Sequence, residues 1–89
     1  MNVTIECNEI KTKEDFHRIF SKSLYLPGFY GNNLDALHDC LTSLSQKTVI
    51  NLVHTTALIH NLGPYGRAAI AAIAHAEREC PERLTVNML

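Results

Sequence analysis

The run Thr48-Val49-Ile50-Asn51-Leu52-Val53 constrains the fold more than any other segment. It is β-branched and almost wholly apolar, which is the pattern of a strand buried on both faces, as in a parallel sheet. Two shorter segments can join it. Residues 2–6 set Val3 and Ile5 between polar neighbours, and Leu84-Thr85-Val86-Asn87-Met88 forms a third strand. The stretches between them have helical period, so adjacent strands cannot be joined by hairpins. Phe16, Ile19, Phe20 and Leu24 predict an amphipathic helix over 13–24, begun by Thr12 and Asp15 in the manner of a capping box. The segment Leu26-Pro27-Gly28-Phe29-Tyr30-Gly31 ends it in a loop. Asn32 and Asn33 are good caps for a second helix over 33–44, whose inner side carries Leu34, Leu37, Leu41 and Leu44. A short helix is expected over 55–61, ending near Gly63-Pro64, and a longer alanine-rich one over 65–79 with Ile70 and Ile73 inward.

The order β-α-α-β-α-α-β calls for a single α/β domain over residues 1–89: a three-stranded parallel sheet with about four helices in right-handed crossovers. An apolar fraction of 46% with 19% charged residues suits a packed core. Eight basic and nine acidic residues give a net charge of −1, which offers no basic footprint for direct contact with nucleic acid. The first residues lack a basic start and a long apolar run, and no stretch suits a membrane span, so neither a signal peptide nor a membrane is expected. Cys7, Cys40 and Cys80 are odd in number and lack metal-ligand spacing, as expected of free thiols in the cytoplasm.

The second helix departs from local rules. Asp35 and Asp39 stand four residues apart on the side opposite the leucines, where like charges repel by about 0.2–0.5 kcal/mol. Aspartate is a poor residue inside a helix, and no lysine or arginine occurs between Ser23 and Gln46 to neutralise the pair. The face is either an ordinary solvated one or a binding surface. Phe29 and Tyr30, in the glycine-bracketed loop just before it, are either core rings or, with one of them exposed, an aromatic anchor beside the carboxylates. A metal site on Asp35, His38 and Asp39 is not expected, because one helix directs too few of them at one point. Nor is acid–base catalysis by the two carboxylates, since a convex helix provides no pocket to separate their pKa values. His17, His54, His60 and His75 show no site-like spacing and are expected to be partly exposed or satisfied core groups. No enzyme, metal or cofactor is expected.

The run from Leu26 through Phe29, Tyr30, Gly31, Asn33, Asp35, His38 and Asp39 to Thr42 resembles the central loop and helix of the barstar family, and a weaker likeness extends over all 89 residues. The resemblance implies an inhibitor, or immunity protein, that blocks the RNA-phosphate site of a small extracellular-type ribonuclease in a 1:1 complex. Asp39 would stand in for phosphate at the centre of that site, and Asp35 would pair with a basic group at its edge. Phe29 would stack over the catalytic histidine with Tyr30 beside it, and Gly31 and Asn33 would give polar contacts. With His38 and Thr42, these residues make up the expected partner-binding set. His38 and Leu44 stand where the family carries tryptophan, and a family glutamate on the last helix falls at Ala76, with Glu77 and Glu79 expected to point elsewhere. Cys40 and Cys80 correspond to a family pair that can lie near each other. The alternative is a binding module of the same fold whose partner is a different toxin or a regulatory protein.

Overall fold

The computed structural model describes all 89 residues. Strand β1 (Asn2–Glu6) leads through a single 3-10 turn (Cys7–Glu9) to helix α1 (Lys13–Ser23) and helix α2 (Leu34–Leu41). Strand β2 (Thr48–Val53), helices α3 (Thr56–Leu62) and α4 (Pro64–Glu79), and strand β3 (Leu84–Met88) complete the chain. The strands form one parallel sheet in the order β1-β2-β3, with Val3 opposite Ile50 and Ile50 opposite Val86. The expected architecture of three parallel strands and four helices is the one present. No helix is long and apolar enough to cross a membrane.

One expectation about the sheet is corrected. Strand β2 is not buried equally on both faces: Thr48, Ile50 and Leu52 are buried, whereas Val49, Asn51 and Val53 are only half-buried. The strand order explains why. Two right-handed crossovers that step in the same direction lay their helices on the same face of a sheet. The opposite face is left polar, and along it Asn51 Nδ2 donates to Asn2 Oδ1 (2.9 Å) while Asn87 Nδ2 donates to Asn51 Oδ1 (2.8 Å). This ladder of asparagines engages both ends of the Asn51 amide and links all three strands.

The core fills the covered side. Phe16 and Phe20 stack at 4.4 Å beneath α1, and Ile5, Ile50, Leu52, Leu58, Ile73 and Leu84 are buried around them. Helices α3 and α4 cross closely at Gly66, where an added Cβ would lie 2.1 Å from the Leu58 carbonyl oxygen. Gly63, with φ +60°, turns the chain between them, and Pro64 opens α4 at a position where its missing N–H costs nothing. Helix α2 meets the rest of the protein chiefly through α4, with Leu37 and Leu41 buried in that seam.

Candidate functional site

Helix α2 begins as its sequence predicts. Asn33 is the N-cap: its Oδ1 accepts from Ala36 N–H (2.8 Å), and its Nδ2 donates to the Gly31 carbonyl (3.2 Å). The Asn33 side chain therefore fixes the helix start and the Gly31 backbone together. The far end differs from expectation. The helix stops at Leu41 rather than 44, because the Thr42 hydroxyl donates back to the His38 carbonyl (2.9 Å) and Ser43 N–H turns tightly onto the Cys40 carbonyl (3.2 Å). Such back-bonding competes with the next helical hydrogen bond. Thr42 thus works as a helix stop, and its hydroxyl is engaged within the chain.

The outward side carries Asp35 and Asp39, both exposed. The Asp39 side chain is 85% exposed, and His38 Nδ1 lies 3.9 Å from its Oδ1. No lysine or arginine lies within 4.0 Å of either carboxylate. The repulsion foreseen along this face is therefore uncompensated by a fixed cation.

The two loop aromatics divide. Phe29 is 88% exposed, while Tyr30 is buried at 8%. Tyr30 is not exposed beside Phe29, because its hydroxyl is drawn inward to His17 Nδ1 (2.5 Å). His17, itself 3% exposed on α1, reaches the Tyr65 hydroxyl on α4 through Nε2 (2.6 Å). A neutral imidazole has one N–H donor and one bare nitrogen, so it can donate to one tyrosine and accept from the other. Burial is the main reason His17 sits below its ordinary pKa; the Glu14 charge opposes that shift and the Lys13 charge aids it. Burial likewise raises the pKa of both tyrosines. All three groups are thus held neutral around a Tyr-His-Tyr strut that pins the loop to two helices and leaves Phe29 outside.

His38 does not face outward with Asp39. It is half-buried against α4, its Nε2 lies 3.1 Å from Glu79 Oε1, and its ring lies 5.2 Å from that of His75. Glu79 therefore reaches the α2–α4 seam, contrary to the expectation that it points elsewhere, while Glu77 accepts from Val86 N–H (2.6 Å). Ala76 is fully buried, so the residue present at that position adds nothing to the acidic face. Cys40 and Cys80 are both free and half-buried, with Cys80 Sγ 3.6 Å from the Thr42 carbonyl oxygen. Burial, reinforced by the Asp39 charge, raises the Cys40 thiol pKa.

One residue of this face was missed in the sequence. Tyr25 is 84% exposed and lines the same open groove as Phe29, Asp39 and Leu44. It adopts φ 54°, a left-handed conformation rare for a bulky side chain. A tyrosine in the turn before Pro27-Gly28 was the available signal.

The fold and this face define a class: a small parallel α/β domain whose distinctive chemistry is an unneutralised acidic helix and the aromatic loop before it. Among protein families, the one described as barstar (barnase inhibitor) matches residues 1–88. The chain belongs to the barstar family.

Proposed function

We propose that this protein inhibits a small barnase-like ribonuclease by seating the outward side of α2 in the enzyme's RNA-phosphate site. The observation that carries this reading is the state of Asp39: 85% exposed, on a capped helix, with no lysine or arginine beside it. A site built to hold phosphate presents fixed cationic donors, and a carboxylate can accept the same charge-assisted hydrogen bonds. Asp39 fills the centre of that site and Asp35 meets a basic group at its edge. Phe29 stacks on the catalytic histidine, Gly31 contributes its backbone, and Asn33 holds that backbone at the helix start. Tyr30 acts from beneath by anchoring the loop, while His38 and Thr42 shape the rim. The complex is 1:1 and forms in the cytoplasm, a compartment that suits the three free thiols.

Inhibition of RNA cleavage by a panel of barnase-like enzymes tests this. Asp39→Ala should weaken inhibition by about 2–5 kcal/mol, roughly 30-fold to several thousandfold, because it leaves buried enzyme cations unpaired. Its melting temperature should stay close to that of the wild type. Equal inhibition by Asp39→Ala refutes the phosphate-mimic role. Failure of the wild type against every such enzyme favours a different partner for the same face.

A further inference from the structure

The seam between α2 and α4 gathers three metal-ligating side chains that no part of the inhibitory reading uses together. His75 and Glu79 stand one turn apart on α4, and His38 faces them from α2. Glu79 Oε1 lies 3.0 Å from His75 Nε2 and 3.1 Å from His38 Nε2, and all three donor atoms fall within 4.8 Å of one another. The two imidazole rings are tilted by 32° at 5.2 Å. Donors bound to Zn²⁺ at about 2.0–2.1 Å sit roughly 3.3 Å apart in a tetrahedron. Two of the three edges are already near that length. His75 is exposed enough (58%) for a small side-chain rotation to close the third.

An ordinary His–Glu pair at i, i+4 would explain His75 and Glu79 alone. It does not explain why a single carboxylate oxygen is shared by imidazoles from two helices separated by 41 positions at His38 and Glu79. We propose that His38, His75 and Glu79 form a binding site for one divalent transition-metal ion, with Zn²⁺ as its representative. Two imidazoles and one carboxylate suit Zn²⁺, Co²⁺ or Ni²⁺, whereas Ca²⁺ and Mg²⁺ call for all-oxygen shells. Three protein ligands leave a fourth position for water on the solvent side. The second ring nitrogen of His38 faces Asp39 Oδ1 at 3.9 Å, where a slight approach would give the carboxylate backing common behind metal-bound histidines. The ion would tie α2 to α4 at the exposed margin of the seam that Leu37 and Leu41 fill.

Titration calorimetry of Zn²⁺ into the full chain, reduced and freed of metal beforehand, tests the site directly without any nuclease. The wild type should bind one equivalent. Loss of an outer-shell partner alone weakens metal sites by about 10–100-fold, so His75→Gln and Glu79→Gln should each weaken binding by at least about tenfold. His54→Gln and His60→Gln should leave it unchanged. With Co²⁺ the complex should show ligand-field bands of a nitrogen–oxygen site, without thiolate-to-cobalt charge transfer. No binding by the wild type, binding unaltered in His75→Gln, or a thiolate band placing the ion on Cys40 or Cys80 would each overturn the proposal.

Discussion

Tyr30→Phe removes one oxygen atom from the strut that holds the loop before α2, and leaves the ring to pack as before. The oxygen lost is the sole hydrogen-bond partner of His17 Nδ1, and His17 is 3% exposed, so water does not replace it. Every fully buried side-chain polar atom in the wild type has a partner, and the substitution creates an exception. Leaving a buried polar group unsatisfied costs about 1–3 kcal/mol. For a domain of this size, each kcal/mol lowers the melting temperature by roughly 4–8 °C. Tyr65→Phe is the internal comparison. Tyr65 is half-buried, so water can reach the vacated position, and its cost should fall nearer about 0.5–1 kcal/mol. Urea unfolding followed by circular dichroism measures both, and an unchanged m-value would show that the loss lies in stability rather than in the compactness of either state. Amide exchange in residues 26–33 should quicken in Tyr30→Phe, because the loop otherwise relies on a few backbone bonds such as Tyr30 N–H to the Pro27 carbonyl (2.9 Å). A Tyr30→Phe protein within about 0.5 kcal/mol of wild type, or a larger loss in Tyr65→Phe, would refute the strut.

The same strut has a pH signature: an NMR titration of the His17 ring should show a midpoint below its ordinary 6.5, chiefly because burial disfavours the cation. The unfolded chain then binds the proton more readily, so the stability His17 contributes is complete above 6.5 and is lost as pH falls toward the lower midpoint; a midpoint at or above 6.5 contradicts this. Gly66→Ala should destabilise the protein by at least about 1 kcal/mol despite the better helix propensity of alanine, because the new Cβ would press on the Leu58 backbone; a raised melting temperature would show that α3 and α4 part freely. Association with a cognate ribonuclease, followed by stopped flow, should slow steeply from about 50 to 500 mM salt while dissociation changes little, and a flat association rate would point to an apolar interface.

Local chemistry made much of this molecule readable. The strand of residues 48–53, the Asn33 cap and the four-residue spacing of Asp35 and Asp39 each depend on neighbours in sequence, and the structure places all three where that chemistry puts them. The misplaced features depend on distant partners. Tyr30 turns inward because of His17 and Tyr65, the latter 48 positions from His17, and Glu79 reaches His38 across 41. No period or spacing carries that information. The open face of the sheet is an intermediate case: β2 composition suggested double burial, but the strand order leaves one side to the Asn2-Asn51-Asn87 ladder. The end of α2 at Leu41 was signalled only by Thr42, and whether its hydroxyl turns back on the chain is not written in the residue type.

Helix α2 is mounted on α4 rather than woven into the sheet, and its two faces answer to different demands. Leu37 and Leu41 serve folding, whereas Asp35 and Asp39 touch nothing that folding requires. Exposed substitutions of this kind change stability by less than about 0.5 kcal/mol, and the i, i+4 coupling between the two carboxylates is no larger. The outward residues can therefore drift or be exchanged in combination without threatening the scaffold. A face mounted in this way can change one residue at a time while the protein stays folded at every step.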